Sequence, residues 1–231
     1  MAGDVFAEID AGTKIATIWI DNPNRFNAMS IQMWERLAEV LRGLAQDPAV
    51  WVVAIRGVGG NFCAGADLSE FGEHRQGADT LVYDERTETA LGLASEMSMP
   101  VIAFVEGYCL GGGVSIAVAC DLVYAVDGAS FQIPASRMGT AYPDGALSRL
   151  RDRIGYSNSL LLRESPVHAG LSSCYGPRSQ RCYMTQTIRG FITRDEQLGY
   201  QSETQSLGGT DASAGCNQLE RVGVTNSITQ A

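Results

Sequence analysis

The sequence has few of the residues on which several common kinds of functional site depend. It contains two histidines, His74 and His168, and none of its six cysteines is paired with another in a Cys-x-x-Cys motif. Because zinc sites need clustered thiolates and imidazoles, we predict no structural metal. Cys63, Cys109 and Cys120 stand in apolar or glycine-rich surroundings, so we expect them to be small buried side chains rather than disulfide partners.

Basic residues and long apolar runs are also scarce. Lys and Arg number 17 against 26 Asp and Glu, and no basic stripe is present to neutralise phosphates, which argues against a nucleic-acid-binding protein. No apolar run reaches the length of about 18 residues that a membrane span requires. The acidic N-terminus lacks the basic segment of a signal peptide. We therefore predict a cytoplasmic protein with no membrane span.

What the sequence does contain is a glycine-rich turn between two apolar runs. Residues 101–105 have the composition of a strand buried on both faces, and residues 114–120 that of an interior helix. Between them, residues 111–113 leave the amides at the start of the helix open to an approaching oxygen. A second turn of small residues, 57–68, follows the predicted strand 51–55. If each turn directs one N–H at the same carbonyl oxygen, the two together form an oxyanion hole.

Periodicity predicts the remaining elements. Residues 5–10 and 14–21 alternate apolar and polar side chains, as in a β-hairpin, and Ser30 is the expected cap of a helix that ends before Pro48. We also predict a helix over residues 79–98, strands over 121–126 and 131–133, and a helix from Gly145 past Leu150. Strands that alternate with helices at this spacing indicate an α/β fold with a mainly parallel sheet.

The character of the sequence changes after about residue 162. Residues 163–182 show neither the helical nor the strand period, and Ser, Thr, Gln and Gly dominate residues 202–231. Such a composition cannot readily bury a core. We therefore predict a folded core over residues 1–162 and interpret residues 163–231 as an atypical tail that is disordered or comes from a shifted reading frame.

Several motifs, in order and at similar spacing, resemble the crotonase, or enoyl-CoA hydratase/isomerase, superfamily. They extend from about residue 4 to about residue 162. The motifs are Asn22-Pro-Asn-Arg-Phe-Asn-Ala-Met29, Asn61-Phe-Cys-Ala-Gly-Ala-Asp-Leu68, Pro100-Val-Ile-Ala103, Glu106-Gly-Tyr-Cys-Leu-Gly-Gly-Gly113, Ala119-Cys-Asp-Leu122, Phe131-Gln-Ile-Pro134 and Met138-Gly139. The resemblance implies the ClpP/crotonase spiral fold of stacked ββα units, with the C-terminal helices of the family missing or replaced. Members form trimers or pairs of trimers largely through those helices, so the resemblance leaves the assembly of this chain open.

The resemblance also implies a substrate and a set of site residues. The substrate would be an acyl-CoA thioester, which carries coenzyme A itself, so that no separate cofactor is needed. The amides of Ala66 and Gly112 would be the oxyanion donors. Coenzyme A would lie against Arg25, Asn27, Ala28, Ala64, Asp67 and Leu68. The rest of the substrate would contact Tyr108, Leu110, Gly111, Ser115, Pro134, Ala135, Gly139 and Tyr142.

The acid–base residues depart from the pattern of the family. In hydratases that this chain resembles, two glutamates hold the water, and the corresponding residues here are Ser115 and Ala135. Neither acts alone as a general base near neutral pH. Some isomerase-type members carry a single carboxylate on the loop that here contains Asp144, which is therefore the predicted base. An Asp before Gly is also an ordinary turn residue.

The resemblance therefore implies an enzyme of fatty acid metabolism, and the absence of the two glutamates implies isomerase-like or divergent chemistry. One alternative is an acyl-CoA-binding protein that has kept the two amides and lost the bases. Another is a serine hydrolase, since residues 113–117 resemble a degenerate nucleophile elbow, but Ser115 follows a turn of six residues instead of standing at a strand-to-helix bend. A dinucleotide-binding fingerprint at Gly57 fails because its third glycine position is Phe62.

Overall fold

Two β-sheets and five α-helices make up the part of the chain that the computed structural model describes, residues 3–70 and 78–168. The strands are β1 (Asp4–Asp10), β2 (Ile15–Asp21), β3 (Val52–Gly57), β4 (Val101–Val105), β5 (Tyr108–Leu110), β6 (Leu122–Ala125), β7 (Ser130–Gln132) and β8 (Val167–His168). The helices are α1 (Ile31–Ala45), α2 (Ala78–Ser95), α3 (Gly112–Ala119), α4 (Asp144–Ile154) and α5 (Tyr156–Glu164).

The larger sheet has the strand order β1-β2-β3-β4-β6. Its first pair is the predicted antiparallel hairpin, in which Val5 lies opposite Ile20, and every later pair is parallel. The inward side chains of β2, Ala16, Ile18 and Ile20, are fully buried. The prediction of a mainly parallel sheet with an N-terminal hairpin is therefore confirmed.

Helix α1 begins at the predicted cap. The Ser30 hydroxyl accepts a hydrogen bond from the Met33 amide at 3.2 Å, and the Glu70 carboxylate accepts one from the Ile31 amide at 2.9 Å. Two of the amides that a helix start leaves unpaired are thus satisfied. Since Glu70 ends the short 3-10 turn Leu68–Glu70, this contact also fixes the end of the second small-residue turn against α1.

A second, three-stranded sheet of order β5-β7-β8 was not predicted. The sequence assigns residues 108–110 to the glycine turn, because three residues are too few to show the alternation of a strand. In the structure Cys109 lies opposite both Phe131 of β7 and Cys63, and all three are buried. β5 therefore joins the two small-residue turns.

The described structure continues past the predicted boundary at residue 162. Leu162 is buried inside α5, and its carbonyl accepts a hydrogen bond from the Ile133 amide at 2.8 Å. Val167 is buried as well and lies opposite Phe131 in the antiparallel pair of β7 and β8. The described chain thus packs on the core as far as Val167. The predicted tail beyond residue 168 lies outside the described residues, and its character stays a prediction.

The three cysteines in the core are free thiols, as predicted. Cys63, Cys109 and Cys120 are fully buried, and burial raises the pKa of Cys63 and Cys120 to about 12. Within residues 3–70 and 78–168, no three His, Cys, Asp or Glu side chains are grouped as metal ligands. No helix in the same ranges is long and apolar enough to cross a bilayer.

Candidate active site

The two glycine-containing turns meet at backbone contact distance. A Cβ atom on Gly65 would lie 2.9 Å from the Leu110 carbonyl oxygen and 3.5 Å from the Gly112 nitrogen, and one on Gly112 would lie 3.6 Å from the Gly65 carbonyl carbon. Gly65 has a φ of +102°, a conformation that residues with a side chain rarely adopt. Glycine at position 65 is what allows this close approach.

The hydrogen-bond pattern determines the direction of the Ala66 amide. The Met29 amide donates to the Gly65 carbonyl at 2.7 Å, and the Asp67 amide donates to the Met29 carbonyl at 2.9 Å. Successive N–H groups of an extended chain point to opposite sides. The N–H of Ala66 therefore points away from Met29.

The Gly112 amide is equally unpaired. Gly112 is the first residue of α3, and the first amides of a helix have no partner within it. In residues 3–70 and 78–168, neither this N–H nor that of Ala66 donates a hydrogen bond to a protein acceptor. Since the Ala66 nitrogen is bonded to the Gly65 carbonyl carbon, two free donors lie close together at the meeting point of the turns.

A cavity of about 290 Å³ opens beside Ala66. It is lined by Arg25, Ala28, Ala64, Ala66, Asp67, Leu68 and Ser69. Five of the six residues that the resemblance assigns to coenzyme A are in this lining, together with one of the two predicted oxyanion donors. The lining comes from two segments, residues 25–28 and 64–69, which are about 40 residues apart in the sequence. The fold thus brings together two segments that only the resemblance had linked.

Asp67 and Arg25 form the polar part of this cavity. The Arg25 guanidinium lies 2.5 Å from the Asp67 carboxylate, and the Ser69 amide and hydroxyl donate to the same oxygen at 2.9 and 2.8 Å. Burial raises the pKa of the Asp67 carboxyl, but the hydrogen bonds from Ser69 and Arg25 outweigh it, so that the pKa lies below its ordinary value. Asp67 is therefore ionised near neutral pH and holds the half-exposed Arg25 at the edge of the cavity.

Asn27, the sixth residue of that group, lies behind the cavity wall. Its side chain is fully buried and donates to the carbonyls of Val58 and Asn61 at 2.8 and 2.6 Å. Its oxygen accepts a hydrogen bond from the Asn22 amide at 2.9 Å. The side chain thus joins the 22–28 loop to the second small-residue turn, and it has no free group to offer a ligand.

An aromatic pair stands beside the two turns. The rings of Phe26 and Tyr108 meet edge to face with their centroids 5.6 Å apart, and both side chains are exposed. Phe26 has a φ of +52°, which is uncommon for a residue with a bulky side chain. The sequence had indicated Tyr108 as a contact residue and had not indicated Phe26.

Ser115 and Tyr142 meet inside the protein next to the glycine turn. Ser115 Oγ lies 2.6 Å from Tyr142 Oη, which also donates to the Gly111 carbonyl at 3.2 Å. Burial raises the pKa of the Tyr142 hydroxyl well above its ordinary value, and the hydrogen bond from Ser115 offsets only part of this rise. Both hydroxyls are therefore protonated across the physiological pH range.

The loop that leads to Tyr142 carries three more of the residues that the resemblance assigns to the substrate, Pro134, Ala135 and Gly139. Pro134 and Ala135 begin the 3-10 turn Pro134–Met138, which Gly139 closes with a φ of +68°. Ala135 packs against the core at its edge. Leu110 ends β5 and is half-buried. The structure therefore brings the end of β5 and the 134–142 loop to the same end of α3.

Asp144 is the first residue of α4 and is exposed. Its carboxylate makes no hydrogen bond or ion pair with the residues described here, and an acidic side chain in a first helical turn is favoured by the helix dipole. The position is compatible with either role considered for this residue, a base or a plain helix-start residue.

Three further elements contribute residues that sequence reasoning missed. Trp34 of α1 is fully buried, and a Cβ on Gly112 would lie 3.1 Å from its ring. The indole of Trp34 donates to the Tyr83 hydroxyl of α2 at 2.9 Å. Glu88 of α2 pairs with Arg149 of α4. The sequence predicted a helix in each of these places, but no local pattern shows which of their residues meet across about 50 to 80 positions of the chain.

The serine hydrolase alternative finds no support in this geometry. Ser115 is the fourth residue of α3, and its amide donates to the Gly111 carbonyl at 3.1 Å as part of the helix. A nucleophile elbow needs its serine on the bend between strand and helix. Ser115 instead pairs with the hydroxyl of Tyr142.

Comparison with known proteins agrees with this geometry. The family model described as enoyl-CoA hydratase/isomerase matches residues 10–161. A mevalonyl-coenzyme A hydratase of Aspergillus fumigatus is 35% identical over 61% of this chain and 52% of its own length. A hydroxycinnamoyl-CoA hydratase-lyase of Pseudomonas fluorescens is 36% identical over 68% of this chain and 57% of its own length. The chain thus spans little more than half the length of these curated relatives.

Solved structures give the same result for the fold. A family protein of enoyl-CoA hydratase/isomerase type from Hyphomonas neptunium superposes with a TM-score of 0.69 at 33% identity, covering 72% of this chain and 64% of that one. The predicted crotonase fold is therefore confirmed. The chain belongs to the enoyl-CoA hydratase/isomerase family of the crotonase superfamily.

Proposed function

We propose that this chain binds an acyl-CoA thioester and stabilises the enolate form of its acyl group. In this proposal the amides of Ala66 and Gly112 donate to the thioester oxygen. A proton leaves the α-carbon for a protein base, the electron pair moves into the carbonyl, and the negative charge that develops on oxygen is held by the two N–H groups. Fixed amides of this kind contribute about 3 kcal/mol each to the transition state.

The observation that carries the proposal is the pair of unpaired amides. Most backbone N–H groups of a folded chain have an acceptor, yet within the described residues two without one occur where the Gly65 and Gly112 backbones touch, at the half-buried residues Ala66 and Gly112. A bound carbonyl oxygen would satisfy both. The membership in a family of CoA-thioester enzymes supports the same ligand.

The neighbouring cavity supports the assignment of the coenzyme A end of the substrate. Small side chains at Ala28 and Ala64 leave the backbone accessible, and Arg25 supplies a positive charge at the edge. A phosphate or an adenine ring could use such a wall, because guanidinium groups bind phosphate through charge-assisted hydrogen bonds. The proposal requires no cofactor besides the coenzyme A of the substrate.

Two kinds of group are candidates for moving the proton. The proposal assigns the base to Asp144, whose carboxylate has no partner within residues 3–70 and 78–168 and which follows Tyr142 by two residues. Ser115 and Tyr142 are assigned the donation of hydrogen bonds, since both remain protonated and a neutral hydroxyl is a poor base. This division favours proton shifts within the acyl group over the addition of water.

One alternative is an acyl-CoA-binding protein without chemistry. It is favoured by a specific observation, the replacement of the two glutamate positions by Ser115 and Ala135. Such a protein would keep the two amides and the cavity as a binding site. The two functions differ in one measurable step, the removal of the α-proton.

Deuterium exchange at the α-carbon distinguishes them. Butyryl-CoA incubated with the protein in D₂O is expected to gain deuterium at the α-carbon, measured by mass spectrometry, at a rate well above that of buffer alone. Exchange at the buffer rate with binding intact, measured by calorimetry, would support the binding protein. The absence of both exchange and binding would overturn the proposed function.

A further inference from the structure

Arg25 is held by one nitrogen of its guanidinium group. Nη1 donates to the Asp67 carboxylate at 2.5 Å and also to the Ser69 hydroxyl. Because Nη1 carries two hydrogens, these two acceptors use both of them. Within residues 3–70 and 78–168, Nε and Nη2 of Arg25 donate to no protein acceptor. The Nε hydrogen and the two Nη2 hydrogens are therefore left for a ligand.

The free part of this guanidinium is the edge that binds oxyanions through paired hydrogen bonds. The Nε–H and one Nη2–H of an arginine lie parallel in one plane, and this fork matches two oxygens of a phosphate group. Arg25 is half-exposed and lines the cavity of about 290 Å³ beside Ala66. Among the described residues that line this cavity, Arg25 is the one cation.

Ser69 supplies the second acceptor for Arg25 without adding a charge. Its hydroxyl accepts from Arg25 and donates to Asp67 at 2.8 Å, and its amide donates to the same carboxylate oxygen at 2.9 Å. A second carboxylate in place of Ser69 would make this group of side chains negative, and it would repel a phosphate. With serine at this position the group is neutral overall, and the Nε–Nη2 edge of Arg25 stays attractive to an anion.

The turn that carries Ser69 is a fixed support. The Asp67 amide donates to the Met29 carbonyl at 2.9 Å, and the Glu70 carboxylate accepts a hydrogen bond from the first amide of α1 at 2.9 Å. An anchor of this kind limits the rotamers of the long Arg25 side chain before a ligand arrives. Less conformational entropy is then lost on binding.

We propose that Ser69 is a positioning residue for Arg25, and that the Nε–Nη2 edge of Arg25 recognises a phosphate group of coenzyme A. Ser69 acts through Arg25, by holding Nη1 so that the other edge stays available to the cavity. The chain then distinguishes thioesters of coenzyme A from thioesters of pantetheine, which carries no phosphate. This inference rests on the proposed function, because it assumes that the cavity beside Ala66 holds the coenzyme A end of the substrate.

Three butyryl thioesters test the proposal with the full chain. Butyryl-CoA carries a 3′-phosphate and a pyrophosphate, butyryl-dephospho-CoA keeps only the pyrophosphate, and S-butyryl-pantetheine has neither. Calorimetry at one pH and one salt concentration measures their affinities. We expect Ser69→Ala to weaken the binding of butyryl-CoA about threefold to tenfold, as for the loss of one hydrogen bond, and to leave that of S-butyryl-pantetheine within about twofold.

The dephospho ligand identifies the phosphate that Arg25 contacts. A loss that butyryl-dephospho-CoA shares supports the proposal with the pyrophosphate as the partner. A loss confined to butyryl-CoA supports it with the 3′-phosphate as the partner.

A double variant shows whether Ser69 acts through Arg25. Arg25→Met is expected to weaken the binding of butyryl-CoA about tenfold or more. Adding Ser69→Ala to it should cause no further loss, because the hydroxyl then has no guanidinium to hold. Ser69→Thr keeps a hydroxyl and is expected to bind butyryl-CoA within about twofold of the natural chain. Ser157→Ala is the matched control, since Ser157 is exposed on α5 and should change no affinity.

Each outcome decides between the two proposals. Ser69 is itself exposed, so its replacement is expected to leave the fold intact, which a melting curve checks. An equal loss for all three thioesters in Ser69→Ala, an unchanged affinity in either single variant, or losses that add in the double variant would overturn this role and leave the proposed function intact. Failure of all three thioesters to bind the natural chain would overturn the proposed function and this inference with it.

Discussion

Ser115 Oγ and Tyr142 Oη lie 2.6 Å apart at the end of α3, and Tyr142 also donates to the Gly111 carbonyl. Ser115 is 2% exposed. The position at which related hydratases carry a glutamate therefore holds a neutral, fully hydrogen-bonded pair. A buried pair of this kind orders the backbone that carries the Gly112 amide, whatever part it takes in the chemistry.

Tyr142→Phe tests how much the Tyr142 hydroxyl contributes to stability and to α-proton exchange. The change removes the hydroxyl and leaves the Ser115 hydroxyl without its partner, while the Gly111 carbonyl keeps the hydrogen bond from the Ser115 amide. We therefore expect a loss of about 1 to 2 kcal/mol in the free energy of unfolding and a lower rate of α-proton exchange. Denaturant unfolding and mass spectrometry measure the two effects. The control is Tyr156→Phe, because Tyr156 is 65% exposed. Equal behaviour of the two variants would contradict the prediction.

Gly112→Pro tests the amide as a donor. Proline is tolerated at the first position of a helix, and it removes the N–H. We expect the α-proton exchange rate to fall by about 100-fold or more. Gly112→Ala is the matched control, since it adds a Cβ 3.1 Å from Trp34 and keeps the N–H. If both variants lose the same activity, steric contact and not the donor is responsible.

Asp144→Asn tests the assigned base. A carboxamide cannot take the proton, so we expect α-proton exchange to disappear while the affinity for butyryl-CoA stays within about twofold. Helix α4 should lose only about 0.5 kcal/mol from its dipole interaction. Asp152→Asn, on the exposed side of the same helix, is the control. If exchange survives in Asp144→Asn, Asp144 is not the base and serves only as a helix-start residue.

Asn27→Ala tests the connection between the loop and the turn. The change leaves the Val58 and Asn61 carbonyls and the Asn22 amide without their partner, and alanine tolerates the φ of +60° less well than asparagine. We expect a loss of about 3 kcal/mol in the free energy of unfolding. Asn24→Ala, at an exposed position of the same loop, should cost less than about 0.5 kcal/mol. A loss near that of Asn24→Ala would contradict the role of Asn27.

The pH dependence of stability tests the environment of Asp67. Because its pKa in the folded chain lies below the ordinary value of 3.8, the unfolded chain binds this proton at a higher pH than the folded chain does. The contribution of Asp67 is therefore fully present above that value and is lost as the pH falls through the folded pKa. We expect the melting temperature of Asp67→Asn to fall less steeply between pH 5 and pH 3 than that of the natural chain. Asp152→Asn should follow the natural chain, and equal slopes for all three would refute the prediction.

Much of the fold was predictable because its signals are local. The Ser30 cap, the alternation of the β1–β2 hairpin and the apolar run of β4 each lie within a few residues, and each element appears where the pattern indicated. The predicted strand 131–133 and helix 79–98 differ from β7 and α2 by one to three residues at their ends, where hydrogen bonding and not composition decides the boundary.

The candidate site was less predictable because its parts come from distant segments. Motifs linked Ala66 with Gly112, but only the fold places Trp34 against Gly112 and Glu88 against Arg149. Asn27 matched a family motif, and its side chain is nevertheless used inside the protein. β5 was missed because its three residues are held by pairing with β7 and not by their own strand preference.

Strand β8 has a practical consequence for anyone who shortens this protein. A chain that stops at Leu162 would lose Val167, which lies opposite Phe131. Strand β7, the middle strand of the three-stranded sheet, would then become an exposed edge strand. Exposed edge strands pair with strands of neighbouring molecules and promote aggregation. Truncated versions for crystallisation should therefore retain His168.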